Sequence, residues 1–213
     1  MFTGTLPDNA QKSLAILGAN NCLPPKTYLA GGSGLALYLG HRISVDFDFF
    51  TPISFNQESL AKNLSQYGKF TVTSISPDTL LGVFNDTKFS IFRYQYPLIS
   101  ETTDCLGVDV ANRKDIGAMK IAAVMGRGTK KDFIDLYFLS KDEASLDDCL
   151  NYYNRKYGAL ASNLYSIITS LAYFTQAEES EMPKMLKEVS WDEVKKFFEN
   201  ESIRLADKFL KSK

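Results

Sequence analysis

Residues 28–50 read YLAGGSGLALYLGHRISVDFDFF, and the fold of the chain follows from this stretch. A short strand runs into Gly31, Gly32 and Ser33, and an apolar helical segment continues from there. Two glycines at such a turn let the backbone approach a phosphate because no Cβ intervenes, and the start of the helix favours an anion. The Ser33 hydroxyl can add a hydrogen-bond donor. The alternative interpretation is an ordinary turn in which Ser33 caps the helix.

The end of the same stretch predicts a strand over 44–50, because polar and apolar residues alternate. Its apolar face is expected to enter the core through Val45, Phe47 and Phe49. Asp46 and Asp48 then lie on the other face, about 6.5–7 Å apart at the ~3.3 Å rise of a strand. Two such carboxylates can converge on Mg²⁺ or Mn²⁺, which prefer oxygen ligands. The alternative is a solvated polar face at a sheet edge.

The rest of the first half predicts a small mixed sheet with flanking helices. The expected helices cover Asn9–Asn20, 34–39 and Gln57–Gln66, and the expected strands cover Thr27–Ala30, Lys69–Ser76, Thr79–Phe84, Lys88–Tyr96 and Val108–Ala111. The three strands between 69 and 96 are joined by short polar links, so we expect them to be antiparallel neighbours.

After about Asn112 the pattern becomes helical throughout. The expected helices cover Asp115–Met125, Lys130–Ser140, Leu146–Tyr157, Leu160–Phe174 and Trp191–Leu210, the last of them with a break near Asn200. The predicted fold class is therefore α/β (α+β). A mixed-sheet core over 1–110 precedes a helical C-terminal part over 111–213, which is expected to close a cleft.

Composition excludes several classes of protein. The chain has 213 residues, 45% of them apolar, and a net charge of −1, so no global basic field steers it onto duplex nucleic acid. No window approaches 18 apolar residues, and no cationic region precedes an apolar one at the N-terminus, so we expect a cytoplasmic protein without a membrane segment. Three scattered cysteines and a single histidine exclude a multi-histidine or cysteine-rich zinc site.

Lys120 is a charged residue in the apolar stripe of a predicted helix. On the helix predicted for 115–125, Ile116 and Val124 flank it at i±4. A lysine in such a stripe requires a partner, or else its stem lies along the stripe while the ammonium reaches water. The apolar surroundings also predict that methionine is tolerated at position 120.

The next helix carries Asp132 and Asp135 and is apolar most of the way round, so both carboxylates are expected to need a cation. Lys120 or a metal ion is the expected partner, although Arg127 can instead make a purely structural ion pair. We assign a functional role to Asp132 and a structural one to Asp135, although it is open whether Asp132 or Asp135 joins the metal site as a third carboxylate. Arg42 can contact a triphosphate or pair with Asp46.

These segments together resemble a known family. The run from Ala30 to Phe50 resembles the signature of the DNA-polymerase-β-type nucleotidyltransferase superfamily, and more specifically the AbiEii/AbiGii toxins of type IV toxin–antitoxin and abortive-infection systems. The resemblance continues through DIGAMKIAA at 115–123, Arg127-Gly128 and KDFIDLY at 131–137, and it spans about residues 28–139. In such toxins the later segments supply a nucleotide-contacting lysine and a further functional aspartate.

The resemblance implies transfer of a nucleotidyl group from an NTP to an acceptor hydroxyl. An RNA 3′ end, a protein hydroxyl and a small molecule are all open as acceptors, and an RNA 3′ end such as that of a tRNA is the expected one. An antitoxin encoded nearby is the expected protein partner. The expected roles are phosphate binding by Gly31, Gly32, Ser33 and Arg42, metal binding by Asp46 and Asp48, charge neutralisation by Lys120, and orientation of Lys120 or activation of the acceptor by Asp132.

The sequence departs in one respect from the pattern of polymerase-β-like enzymes. Polymerase-β-like enzymes often place a third carboxylate on a later strand, whereas 88–94 contains none and Arg93 stands where an acid is sought. The aromatic run 89–96 is interpreted as core rather than as a platform for nucleobases.

Three alternative interpretations of the function are open. They are a haloacid-dehalogenase-type phosphatase, which also uses Asp-x-Asp after a strand, a non-catalytic nucleotide-binding protein, and a purely structural domain.

Overall fold

The computed structural model describes residues 1–209 and divides the chain into two compact units, with the boundary between Asn112 and Arg113. The first unit contains the sheet and the second is helical. Leu210, the last residue of the predicted C-terminal helix, lies outside the described residues.

The first unit is a seven-stranded mixed sheet with three helices and a short 3₁₀ turn at Thr3–Thr5. The helices are α1 (Asp8–Ala19), α2 (Gly31–Leu39) and α3 (Gln57–Tyr67). The strands are β1 (Tyr28–Leu29), β2 (Asp46–Thr51), β3 (Phe70–Ser76), β4 (Thr79–Phe84), β5 (Thr87–Arg93), β6 (Thr103–Cys105) and β7 (Val108–Val110).

The strand order places β2 near the middle of the sheet, in the sequence β3-β4-β5-β2-β1-β7-β6. β3, β4 and β5 are antiparallel neighbours, as predicted, whereas β2 pairs in parallel with β5 and antiparallel with β1. β6 was not predicted from the sequence. It has only three residues, two of them exposed, so it shows no alternation that would reveal a strand.

One face of the sheet forms the core of the first unit. Phe47, Phe49 and Phe89 are fully buried there, and α1 and α3 contribute buried leucines that pack on the same cluster. The prediction that Val45 joins this face is wrong: its side chain is 52% exposed. The regular strand begins only at Asp46, so the alternation that buries every second residue does not yet hold at position 45.

The second unit contains six helices within the described residues. They are α4 (Arg113–Gly126), α5 (Lys130–Asp142), α6 (Leu146–Tyr157), α7 (Leu160–Leu171), α8 (Thr175–Glu178) and α9 (Trp191–Phe209). Within residues 1–209, none of these or the earlier helices has the length and apolar character needed to cross a membrane.

α9 is continuous through Asn200, so the predicted break is wrong. Phe198 and Leu205 are both fully buried, and they anchor the helix on either side of the polar segment. Between them the Ser202 hydroxyl donates a hydrogen bond of 2.9 Å to the carbonyl of Ile168 in α7. Packing of the apolar stripe outweighs the weak helix propensity of these residues.

A buried ion pair joins α4 to α6. The Lys156 ammonium donates to an oxygen of Asp115 over 2.7 Å, and both side chains are completely inaccessible to solvent. Two charges removed from water are tolerated because each compensates the other, and loss of either partner leaves an uncompensated buried charge.

We expect Lys156→Met to lower the free energy of unfolding by about 3–5 kcal/mol, the range found when a buried pair loses one partner. Urea unfolding followed by circular dichroism measures this loss. Lys208→Met is the matched control, since Lys208 makes a solvent-exposed pair with Asp147 and its removal should change stability by less than about 1 kcal/mol. Equal effects of the two variants would contradict a stabilising role for the buried pair.

Candidate active site

The glycine turn lies directly against Asp48. α2 begins at Gly31, three residues earlier than the predicted start at 34, and Gly31 has a φ of +61°. A Cβ at this position would lie 2.7 Å from the Asp48 Oδ2 atom. Glycine is therefore required both by the left-handed conformation and by the close approach of the carboxylate.

The start of α2 presents backbone donors. The first hydrogen bond of the helix joins the Gly34 amide to the Ala30 carbonyl over 3.0 Å. The amides of Gly31, Gly32 and Ser33 precede it, and in an α-helix such amides have no acceptor within the helix. The positive end of the helix dipole lies at the same place, so the turn is suited to a phosphate.

Ser33 is buried and connects α2 to β2. Its hydroxyl forms hydrogen bonds with the Asp46 carbonyl and, over 2.9 Å, with the Ser44 hydroxyl. A carbonyl can only accept, so Ser33 donates to Asp46 and Ser44 donates to Ser33. Ser33 does not cap the helix, and its single proton already has an acceptor. Any contact between Ser33 and a phosphate therefore falls to its backbone amide.

Asp46 and Asp48 lie on the same face of β2, as expected. Both are partly buried, and they alternate with the fully buried Phe47 and Phe49. The Ala30 amide donates to the Asp48 carbonyl over 2.9 Å, which holds the end of β1 beside the aspartate.

The neighbouring strand contributes a cation and a hydroxyl to this face. In the parallel register of β2 and β5, Asp46 lies opposite Lys88 and Asp48 lies opposite Ser90. Arg93 does not occupy the place of a third carboxylate, because it lies opposite Thr51 and its guanidinium pairs with Asp78 over 3.4 Å. Lys88 and Ser90 are the β5 residues that lie opposite the two aspartates, and sequence reasoning missed both.

These residues fit a metal ion that is shared with a substrate. Within residues 1–209 there is no group of three or more histidine, cysteine, aspartate or glutamate side chains that could hold a metal ion. Mg²⁺ is commonly held by one or two protein carboxylates, with water and substrate phosphates completing its octahedron. Asp46 and Asp48 beside the glycine turn match that requirement.

Arg42 is packed against the turn and is only 4% exposed. Its Nη1 atom donates to the Ile43 carbonyl over 3.1 Å. Its Nη2 atom occupies the space into which a Cβ of Gly32 would project, so Gly32 is needed for the guanidinium to fit. Arginine stays protonated in proteins, and it therefore adds a fixed positive charge close to the start of α2.

In the helical unit, Lys120 is buried between two carboxylates. Its ammonium lies 3.0 Å from Asp132 Oδ1 and 2.6 Å from Asp135 Oδ2, and its side chain is 4% exposed. An ammonium that reaches bulk water is excluded by this geometry. Methionine would leave two buried carboxylates without this cation, so the expectation that it is tolerated at position 120 is wrong.

Asp132 accepts hydrogen bonds from three side chains. Arg127 donates to both oxygens over 2.8 and 2.9 Å, and Thr129 and Lys120 donate over 2.6 and 3.0 Å. Burial by itself raises the pKa of Asp132, but the Lys120 charge, the Arg127 fork and the Thr129 hydroxyl together hold that pKa well below its usual value. Asp132 is therefore a carboxylate at neutral pH, and it pairs both with Lys120, the expected partner, and with Arg127, the alternative one.

Most of the sequence, from residue 16 to residue 211, matches one family model. The family model described as "Nucleotidyl transferase AbiEii toxin, Type IV TA system" matches residues 16–105 and 93–211. The chain belongs to the AbiEii family. It is a nucleotidyltransferase by family, so the haloacid-dehalogenase-type alternative is set aside.

One sequence relative and two solved structures are similar to this AbiEii member. An uncharacterized protein of Aquifex aeolicus (strain VF5), aq_aa25, is 38% identical over 176 residues, which is 80% of this chain and 84% of that protein. The structure of JHP933 from Helicobacter pylori matches with a TM-score of 0.54 at 17% identity, over 97% of this chain and 95% of that one. MenT4, a nucleotidyltransferase toxin of Mycobacterium tuberculosis H37Rv, matches with a TM-score of 0.58 at 15% identity, over 93% and 86%. At these identities the two structures establish a shared fold.

The acid sensitivity of this AbiEii chain should depend on Asp132. Its folded pKa lies below the ordinary value of 3.8, so its stabilising contribution is complete above that value and is lost as the pH falls through the folded pKa. We expect the free energy of unfolding to fall between about pH 5 and pH 2, and Asp132→Asn to be less stable at pH 7 with a shallower decline in acid.

Urea unfolding at a series of pH values measures both slopes. Asp104→Asn, at an exposed strand position, is the matched control and should keep the wild-type profile. Parallel profiles for wild type and Asp132→Asn would contradict an ionised, stabilising Asp132.

Proposed function

We propose that this AbiEii-family enzyme uses Mg²⁺ or Mn²⁺ to transfer a nucleoside monophosphate from an NTP to an acceptor hydroxyl. The acceptor hydroxyl releases its proton to solvent as its oxygen bonds to the α-phosphorus, the bond from that phosphorus to the oxygen bridging to the β-phosphorus breaks, and pyrophosphate leaves. The observation that carries the proposal is the contact between the Gly31 turn and the Asp48 carboxylate. A phosphate-binding backbone and a metal-binding group are thereby held side by side.

The first unit supplies the binding of the triphosphate in this proposal. The amides of Gly31, Gly32 and Ser33 donate to the β- and γ-phosphates, and the Arg42 charge lowers the cost of bringing an anion to the turn. Asp46 and Asp48 hold the metal ion. When bound, the ion neutralises charge on the phosphates and polarises the attacking hydroxyl.

Lys120 neutralises charge that develops on the phosphates, and Asp132 positions Lys120. The alternative role for Asp132, activation of the acceptor as a base, is less well supported. Its two oxygens already accept four hydrogen bonds, and its depressed pKa makes it a poor proton acceptor. Asp135 shares the Lys120 ammonium, and this ion pair supports a structural role for Asp135.

The proposed acceptor is an RNA 3′ end such as that of a tRNA. A free ribose hydroxyl suits metal-assisted attack on an α-phosphate, and a net charge of −1 favours a small contact at one terminus over tracking along a duplex. Membership of a type IV toxin–antitoxin family supports a cytoplasmic toxin with an antitoxin encoded nearby.

Incubation with each of four α-labelled NTPs, Mg²⁺ and total RNA tests the reaction, with gels that resolve RNA and protein. Label on tRNA-sized bands supports the proposal, and label on a protein band would redirect it to protein nucleotidylation. Expression of the intact chain should also slow bacterial growth. Absence of transfer to any acceptor, in cells that grow normally, would contradict a catalytic toxin.

We expect Asp46→Asn and Asp48→Asn each to reduce label transfer by at least about 10²-fold, since each removes a charged metal ligand. Both variants should remain folded, with equal or greater stability, because the change relieves repulsion between like charges on one strand face. Asp104→Asn is the control and should retain transfer and growth inhibition. Near wild-type turnover in either site variant would contradict the metal assignment.

The role of Lys120 can be separated from its structural contribution. Lys120→Met should lose both stability and transfer, whereas the double variant Lys120→Met/Asp135→Asn should regain part of the stability, because one buried carboxylate is removed with the ammonium. We expect this double variant to stay inactive in label transfer measured well below its melting temperature. Recovery of transfer together with stability would show that Lys120 is structural only.

A further inference from the structure

An unbroken row of aromatic side chains continues from the aspartate face of the sheet. Phe50 follows Asp48 on the same face of β2, and Phe92 lies opposite Phe50 in β5. Tyr94 and Tyr96 extend the same side of the chain beyond β5. The ring centroids are 5.5 Å apart for Phe50 and Phe92, and 5.2 Å apart both for Phe50 and Tyr94 and for Tyr94 and Tyr96. We refer to these four residues as the aromatic row.

The aromatic row is not part of the hydrophobic core. Tyr96 is 48% exposed and the other three rings are partly buried, whereas Phe89 on the opposite face is almost fully buried. The interpretation of the aromatic run as core therefore holds for Phe89 but not for Phe92, Tyr94 and Tyr96. Four adjacent rings on one sheet face, one exposed and three partly buried, form a surface on which planar ligands can stack.

The row starts about one nucleotide away from the candidate metal site. Phe50 is two residues beyond Asp48, which at the ~3.3 Å rise of a strand is about 6.6 Å. The Gly31 turn lies at Asp48, and from there the row runs toward Tyr96. A polynucleotide whose last base stacks on Phe50 and Phe92 would thus present its terminal ribose toward Asp46 and Asp48.

Cations lie at both ends of the row. Lys88 precedes Ser90 and Phe92 on the same face of β5 and is exposed. At the other end, Tyr28 and Tyr96 line an open cleft of about 340 Å³ whose rim includes the exposed Lys26 and Asp109. The rings match nucleobases, and the lysine at each end of the row can pair with a phosphate of the nucleic-acid chain.

We propose that the aromatic row binds the single-stranded 3′ end of the nucleic-acid acceptor by stacking on its terminal nucleobases. The proposal rests on the function proposed above. We favour the acceptor over the NTP because an NTP presents one base, whereas the row offers four rings in succession and leads away from the turn assigned to the triphosphate. Stacking on aromatic rings is tolerant of base identity, so shape and chain end are recognised more than sequence.

Binding of a 5′-fluorescein-labelled single-stranded RNA 12-mer, followed by anisotropy without NTP, tests the proposal. We expect Tyr94→Ser/Tyr96→Ser to bind roughly 5- to 100-fold more weakly than wild type, from the usual contribution of base stacking. Tyr94→Phe/Tyr96→Phe should retain affinity, because it keeps the rings. Tyr165→Ser/Tyr173→Ser makes the same change at tyrosines that are 68% and 61% exposed in the helical unit, and it should bind as wild type does.

The salt dependence of binding separates stacking from charge. Lys88→Gln should reduce the dependence of affinity on salt concentration, whereas the serine variant of the row should leave that slope unchanged. In label transfer, the serine variant should raise the KM for RNA and leave the KM for NTP as it is. A rise in the KM for NTP alone would overturn the proposal by assigning the row to the base of the nucleotide.

The two proposals fail in distinguishable ways. Row-dependent RNA binding without any label transfer would contradict the proposed reaction but support the row as an RNA surface. Label transfer to RNA with binding equal in wild type and the serine variant would overturn the role of the row alone. Circular dichroism and thermal melting of each variant exclude unfolding as the cause, and failure of wild type to bind the 12-mer at low salt would also overturn the inference.

Discussion

The contact between Gly31 and the Asp48 carboxylate is the constraint on which the first unit depends. It requires a residue without a side chain at the start of α2 and a positive φ at the same position, and both conditions select glycine. The Ser33 hydroxyl bond to the Asp46 carbonyl fixes the same helix to the start of β2. Backbone donors and carboxylates therefore keep a fixed separation before any substrate arrives, so little reorganisation is required of the site.

The helical unit contains charged side chains that are buried away from water and paired with one another. Asp132 and Asp135 share Lys120, and Asp115 pairs with Lys156. Such pairs contribute little net stability compared with apolar residues of the same shape. Loss of one member, however, strongly lowers the free energy of unfolding, because the other charge is left buried without a partner. The two carboxylates around Lys120 also fix the position of its ammonium, whereas the ammonium of a surface lysine moves among several rotamers.

The alternation of residues in β2 was enough to predict which face carries Asp46 and Asp48, since a strand has a period of two. The same period gave the wrong result for Val45 because it holds only where the strand is already paired. The early start of α2 was missed because two glycines have low helix propensity.

Among the charged residues, the ion pair between Lys120 and Asp132 was predicted because both residues interrupt apolar stripes. Asp115 and Lys156 were missed because Arg113, Lys114 and Arg155 stand beside them and suggest a solvated segment, and the position of Lys88 depends on a strand register that the sequence does not display.

Lys88 changes the electrostatic character of the face it shares with Asp46. Three carboxylates on adjacent strands repel one another strongly, and such a centre relies on bound cations to remain assembled. Two carboxylates beside an ammonium carry a single excess negative charge, so mutual repulsion is weaker while the site is vacant. The sheet can therefore hold Asp46 and Asp48 in place without a bound cation, and in the proposed reaction the metal ion would bind together with the nucleotide.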